Sequence, residues 1–372
     1  MRIGIDARDV LRKPTGIAVY TTSLIQGLAR QDRENEYLLY LDNHYDPAVE
    51  HSNIVRQNNF CWKVLKVSPS LWKQISLPYN LKLDRVDLFH STTSTLPLVR
   101  PCRTVVTFCD LFHEINPEWV PPNVRTRLHR LYKFAAQHAT LVIAISENTK
   151  RDLMKIYGIK EQKIKVIYPG KSDLFRPVKD VTLIEELRRR LKIRDRFLLH
   201  VGALAYWRNI PNLLKAFAIL KKQKVPHQLV LVGRSFWSFD LNRLLAELDL
   251  EGEVINLGYL STDELVLLYN GAEALVFPSL YEGFGIPVLE AMSCRTPVVA
   301  SCVASLPEVV GEAALLIDPY DVESIADGMA RVIRDKSLCR ELVEKGMKRA
   351  KLFSWDKMAQ QVGQAYKEAV SC

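Results

Sequence analysis

Two carboxylates and two glycines are the residues in this chain whose types and spacing most clearly imply chemistry. They lie in Phe277-Pro278-Ser279-Leu280-Tyr281-Glu282-Gly283-Phe284-Gly285-Ile286-Pro287-Val288-Leu289-Glu290. The stretch follows a short β-rich run. Gly283 and Gly285 permit a tight turn and a close approach of backbone to a ligand. Pro287 suits the opening position of a helix. The spare N–H groups and the dipole of such a helix start attract an anion. Glu282 then falls in the loop and Glu290 in the first turn, so both carboxylates can face one ligand and accept hydrogen bonds from sugar hydroxyls. A Glu that merely complements a helix dipole is the plainer reading of either residue alone. The strand–turn–helix context with Gly-Phe-Gly argues for the ligand reading.

The elements that must hold this turn are legible as alternating β-rich runs and helical patterns, the mark of parallel sheets with crossover helices. The first half predicts strands at 3–6, 37–41, 64–67, 87–90, 104–108 and 141–145. It predicts helices near 19–30, 71–83 and 125–139, and a further one capped by Ser146 and running to about Tyr157. Ile164–Ile167 reads as a short strand. Tyr168-Pro169-Gly170 through Phe175-Arg176-Pro177 is rich in turn formers and reads as a linker. The pattern then restarts, with strands at 197–201, ending at Gly202, then 228–232, 254–257, 274–277, 298–300 and 315–317. Helices are predicted over about 210–222 and 321–335, and Ser261-Thr262-Asp263-Glu264 is a capping box. Two such arrays predict two doubly wound α/β domains, whose ligands lie beyond the carboxyl ends of the strands.

Composition narrows the class. The 372 residues carry a net charge of +9, which suits nucleotide phosphates, nucleic acid or an acidic membrane surface. No basic stripe with interleaved aromatics matches a nucleic-acid motif. The seven cysteines contain no Cys-x-x-Cys pair and the chain has no Asn-x-Ser/Thr sequon, so a reducing compartment is expected. No apolar run approaches a membrane span or a signal-peptide core, and the expected location is cytoplasmic. Gly170-Lys171-Ser172 lacks the earlier glycine of a P-loop, since position 165 is Lys165. No Gly-x-Gly-x-x-Gly follows any strand, which sets aside a dinucleotide-dependent oxidoreductase.

The turn resembles that of the family 4, or group 1, retaining glycosyltransferases. Their E-x7-E motif stands here as Glu282 to Glu290. The resemblance extends over nearly the whole chain: Thr15-Gly16-Ile17 after the first strand, Ser146-Glu147-Asn148-Thr149, the Tyr168-Pro169-Gly170 linker, Thr296-Pro297-Val298-Val299-Ala300-Ser301, Pro307-Glu308-Val309, and Phe353-Ser354-Trp355. It implies the GT-B fold, two Rossmann-like domains facing a cleft. Residues 1–168 would form an acceptor-binding domain, 169–354 a nucleotide-sugar-binding domain, and 355–372 a helix returning to the first.

The same resemblance implies roles. Glu290 holds the nucleotide ribose, Glu282 the donor sugar hydroxyls, and Gly283, Phe284 and Gly285 present N–H groups to sugar and diphosphate. Gly16, Gly202 and Ser279 complete the donor site. Arg208 takes the place of a phosphate-binding Lys, and Asp110 keeps an acid of the family. Catalysis is thus assigned to Glu282, Arg208 and Asp110. The chain departs from the pattern at Trp207, where many members carry a second basic residue. It departs again at Cys109, where many carry His; His113 is three residues on and is a candidate replacement.

The implied reaction is metal- and cofactor-independent transfer of a sugar from a nucleotide diphosphate, with retention, to a glycan or polyprenyl-linked saccharide in cell-surface polysaccharide (lipopolysaccharide) synthesis. Mannose from GDP-mannose is the first choice, with UDP-sugars and dTDP-rhamnose open. A nucleotide-sugar 2-epimerase and a non-catalytic nucleotide-sugar-binding protein are the alternatives. The helix around 125–133, basic and partly apolar, is a candidate for peripheral contact with an anionic membrane at its inner face.

Overall fold

The computed structural model describes residues 1–10, 15–42, 55, 57–68, 71–236 and 239–371. The chain forms two compact units, Met1–Gly170 with Phe353–Cys372, and Lys171–Leu352. Each is built on a parallel sheet, as the alternation of strand and helix in the sequence requires.

In the first unit the strands are β1 (Arg2–Asp6), β2 (Glu36–Asp42), β3 (Phe60–Leu65), β4 (Leu88–Ser91), β5 (Arg103–Phe108), β6 (Leu141–Ala144) and β7 (Ile164–Val166), ordered β3-β2-β1-β4-β5-β6-β7. All pairings are parallel, with Ile5 opposite Leu39 on one side and His90 on the other. The order reverses at β1, so the carboxyl ends of β1 and β4 flank the switch point where such sheets take ligands. The central strands are buried on both faces and read as continuous apolar runs for that reason.

The helix Gly16–Gln31 follows β1, opened by Thr15, whose hydroxyl accepts from the Ala18 N–H at 3.2 Å. Helix Glu147–Tyr157 is capped by Ser146, whose Oγ accepts from the Thr149 N–H at 3.0 Å, and ends at Gly158 with φ +66°. The last helix, Trp355–Ser371, packs in this unit against Gly16–Gln31. Gly27 makes that contact possible, because a Cβ there would come within 2.6 Å of the Ala359 Cβ. Tyr366 Oη meets His90 Nδ1 at 2.7 Å, and Arg30 pairs with Asp356 at 2.5 Å.

Two predicted elements differ from those observed. The strand placed at 64–67 spans Phe60–Leu65, because it pairs with β2 from Tyr37 opposite Phe60 onward. The single helix predicted over 71–83 is a π-helical turn, Trp72–Ser76, running into an α-helix, Leu77–Leu83.

The second unit carries β8 (Phe197–Val201), β9 (Gln228–Val232), β10 (Val254–Asn256), β11 (Ala274–Phe277), β12 (Val298–Ser301) and β13 (Leu315–Ile317), ordered β10-β9-β8-β11-β12-β13 and again parallel. Ser261 and Glu264 form a full capping box at the helix Thr262–Gly271. The order reverses between β8 and β11. The loops after these two strands carry Arg208 and Glu282. Among the described residues no helix is long and apolar enough to cross a membrane.

Candidate functional site

The second unit gathers most of the residues singled out in the sequence. β11 ends at Phe277, and the chain turns through residues 278–285 into the helix Ile286–Ser293. Gly285 stands just before that helix with φ +100° and ψ +52°. A side chain is excluded there twice over. The conformation is one that L-residues rarely adopt, and a Cβ would lie 2.7 Å from Leu306 Cδ2. Pro287 occupies the first turn of the helix.

Ser305, which the sequence reading did not single out, pins this turn. Its Oγ lies 2.9 Å from the Glu282 carbonyl oxygen and 3.2 Å from that of Phe284. The Glu282 backbone is thus held by a buried hydroxyl from the loop after β12, and Gly283, Phe284 and Gly285 are all buried. Ser279 is fully buried, and its Oγ has no hydrogen-bond partner among the described residues.

Glu282 and Arg208 form an ion pair in which Nη1 donates to Oε1. The side chains are 7% and 20% exposed. Three features of the surroundings aim the guanidinium. It lies over the Phe277 ring at 5.3 Å. It runs along Gly202, where a Cβ would meet Arg208 Nε at 3.6 Å and where φ is +153°. Asn209 follows in the left-handed conformation, φ +60°, and its Nδ2 donates to the Pro319 carbonyl at 2.6 Å. Trp207 lies edge-on to Phe236 at 5.2 Å, and its carbonyl accepts from the Leu280 N–H at 2.9 Å. The position at which many members of the family carry a second cation is therefore a packing residue here, and it joins the Arg208 loop to the Glu282 loop.

Glu290 stands in the helix behind this turn, half-buried. Its Oε2 accepts from the hydroxyl of the fully buried Tyr269 at 2.9 Å. Burial pushes the carboxyl up to about 7, opposed by that hydrogen bond. His200 on β8 stacks on Phe277 and bonds the Val276 carbonyl through Nδ1 at 3.0 Å. Burial lowers it to about 4, so it is neutral at pH 7. Tyr269 and His200 carry no sequence signal: one lies in an ordinary helix, the other in an apolar strand.

Gly16, Cys109 and Asp110 belong to the first unit. Gly16 opens the helix after β1, and no atom of the described residues lies within 4 Å of its Cβ position. Asp110 and Cys109 follow β5 and are half-buried. Burial, together with the charge of Asp110, raises the Cys109 thiol well above its ordinary value, so it is a neutral thiol and no proton acceptor at pH 7. His113 does not replace the missing imidazole. It is fully buried, edge-on to Tyr132 at 4.7 Å, with Nε2 3.3 Å from Glu114. Burial lowers it to about 4. It is a core residue that ties the loop after β5 to the helix Pro122–His138.

Comparison with known proteins accounts for this arrangement. Residues 14–171 match the family model described as Glycosyltransferase Family 4, and residues 184–349 match that of Glycosyl transferases group 1. O-antigen chain mannosyltransferase B of Escherichia coli is 29% identical over 98% of this chain and 99% of its own length. O-antigen chain mannosyltransferase RfbU of Salmonella typhimurium is 30% identical over 70% of each chain. Anabaena Alr3699/HepE, solved in complex with UDP and glucose, superposes with a TM-score of 0.79 at 20% identity, covering 98% of this chain and 99% of that one. With both units matched by the family's models, and the acidic residues Glu282 and Glu290 bracketing a glycine turn at the head of a helix, the chain belongs to the group 1 glycosyl transferases: it is a glycosyltransferase of the GT-B fold.

Proposed function

We propose that the protein transfers a mannosyl residue from GDP-mannose, with retention of configuration and without a metal ion, to a glycan or lipid-linked saccharide during assembly of a cell-surface polysaccharide. The observation that carries this reading is the adjoining of Glu282 and Arg208 at the Gly285 turn. A carboxylate suited to sugar hydroxyls and a guanidinium suited to a diphosphate stand side by side, as a sugar and its leaving group do in the donor. In this reading the second unit binds the donor and the first the acceptor.

The chemistry follows from that placement. Breaking a glycosyl phosphate bond develops negative charge on the leaving diphosphate and positive charge on the sugar ring. Arg208 and the N–H groups of Gly283–Gly285 meet the first, with no reorganisation at the moment of reaction. Glu282 orients the sugar through its hydroxyls, the buried Ser279 completes the donor site, and Gly202 lies alongside Arg208. Glu290 takes the ribose hydroxyls. Asp110 is the acid on the acceptor side. Cys109, a neutral thiol, supplies shape rather than charge. The choice of mannose is supported by relatives named as O-antigen mannosyltransferases. The nucleotide-diphosphate donor is supported by the UDP in the similar solved structure.

The test is a thermal-shift panel of GDP, UDP, dTDP and ADP on the protein and on Glu290→Ala. A nucleotide at a hundred times its dissociation constant adds roughly 2.7 kcal/mol, a clear rise in Tm. GDP alone should stabilise the protein, and the variant should lose the response. A response to UDP or dTDP alone overturns the choice of donor. Product formation from GDP-mannose undiminished by excess chelator supports the metal-free reaction; loss restored by one divalent ion overturns it.

A further inference from the structure

Arg208 Nη1 donates to Glu282 Oε1. The group suited to a diphosphate and the group suited to a sugar hydroxyl are therefore engaged with each other. What a ligand must bring to separate them follows from how the pair is enclosed.

The backbone is fixed on both sides. The Leu280 N–H donates to the Trp207 carbonyl at 2.9 Å, which ties the loop of Glu282 to that of Arg208. Ser305 Oγ donates to the Glu282 carbonyl, also at 2.9 Å. Separation of the pair therefore falls to the two side chains.

The partners do not depend on the contact equally. Glu282 is 7% exposed and Arg208 20%. Water has little access to the carboxylate, so losing its cation leaves it with a desolvation penalty unless another donor takes the place. Arg208 has a second support in the face of Phe277 at 5.3 Å and is open enough to turn toward an anion. The neighbouring polar groups offer Glu282 no replacement. His200, close enough to Arg208 to feel its charge, is kept neutral at pH 7 by burial, and its ring N–H goes to the Val276 carbonyl. The hydroxyl of Tyr269 goes to Glu290.

A sugar nucleotide and the nucleotide left after transfer differ in what they bring. The first carries an anionic diphosphate for Arg208 and, beside it, hydroxyls that donate to Glu282. The second carries the anion alone. It must leave Arg208 in place, or draw it away and leave a bare carboxylate facing its own negative charge.

We infer that the Arg208–Glu282 pair is a latch that discriminates donor from product. It opens for a sugar nucleotide, whose hydroxyls replace the guanidinium at Glu282, and recloses against the nucleoside diphosphate, which is thereby released. This rests on the donor-binding reading given above and adds to it a role for Glu282 after the sugar has left.

The test is titration calorimetry without acceptor, using GDP and GDP-mannose as one pair and UDP and UDP-glucose as another. The proteins are the parent, Glu282→Gln and Glu290→Gln. Which pair binds the parent tests the choice of donor; the ratio of the two Kd values within that pair tests the latch. Glu282→Gln keeps the shape and an acceptor oxygen but loses the charge. It should tighten the nucleotide about tenfold, the scale of one hydrogen bond to a charged group, and change the sugar nucleotide little. Glu290→Gln should shift both ligands alike, since both carry the ribose, and leave the ratio where it was. Glu282→Asp, with its carboxylate drawn back by one methylene, should move the ratio in the same direction as Glu282→Gln by a smaller factor, and serves if the latter folds poorly. The latch is overturned if the Glu282 variants leave the ratio unchanged, or if Glu290→Gln moves it as much. Binding of the UDP pair alone overturns the choice of GDP, and the ratio is then read from that pair. If neither pair binds the parent, the donor site and the latch fall together.

Discussion

Arg208 and Glu282 each owe their position to the other, and this makes truncation and conservative exchange distinguishable. Removing one partner of a largely buried ion pair leaves the other uncompensated, at about 3 kcal/mol or less here because Arg208 is a fifth exposed. Arg208→Ala should therefore lower Tm and, if the guanidinium meets the leaving diphosphate, lower kcat on the order of 10²- to 10³-fold. Arg208→Lys should recover most of the Tm and only part of kcat, because an ammonium keeps the charge and loses the forked geometry. Equal kcat in the two variants would remove the electrophilic role.

Glu290 gives a pH signature. Burial raises its carboxyl from the ordinary 4.5 to about 7 in the folded chain, so folding takes up a proton within that window. Its contribution to stability is thus most favourable at and below about 4.5 and is lost as pH rises through 7. Glu290→Gln should have a higher Tm than the parent at pH 8, and the two should converge near pH 4.5. If the ribose binds the carboxylate, nucleotide affinity of the parent should strengthen with rising pH through about 7, and the variant's should stay flat. Titration calorimetry at pH 6 and pH 8 checks both.

At the scale of elements, the site is a turn held at both ends. Gly285→Ala places a Cβ against Leu306 in a conformation costing about 1–3 kcal/mol. Leu306→Ala on that background should relieve the clash and leave the backbone cost, so the double variant should remain less stable than Leu306→Ala. Ser305→Ala should cost about 1 kcal/mol for the lost hydrogen bond to the turn. It should raise KM for the donor more than it lowers kcat, because it loosens a loop rather than removing a reacting group. Local signals made the turn itself readable: a strand, two glycines, a proline at the helix start. The same kind of signal located the Ser146 and Ser261 caps. It failed at β3, whose start is set by pairing with β2, and at the π-turn, which is set by the burial of Trp72 against Leu41. Neither partner is adjacent in sequence.

At the scale of the molecule, the last helix is part of the first unit's core. Trp355, Met358, Val362 and Tyr366 are buried there, each worth about 1.5–3 kcal/mol. Deleting residues 353–372 removes a sum comparable to the whole stability of a domain, and the truncated chain should be largely insoluble on expression. Gly170→Ala should act in the same direction, since its Cβ would fall 2.1 Å from the Trp355 backbone nitrogen. Limited proteolysis should then release the C-terminal helix first.

The amino-acid order alone determined the class of fold, the alternation of strand and helix, and the turn that carries Glu282, Gly285 and Glu290. Each of these is written in residues close together in the chain, where periodicity and turn chemistry act. Only the tertiary structure decided that Arg208 is paired with Glu282, that Ser305 and Tyr269 support the two acidic residues, and that His113 is a core residue rather than a substitute for the imidazole absent at Cys109. Those facts depend on which side chains, distant in sequence, exclude water from one another. Burial of that kind is a property of packed elements and leaves no local pattern to read.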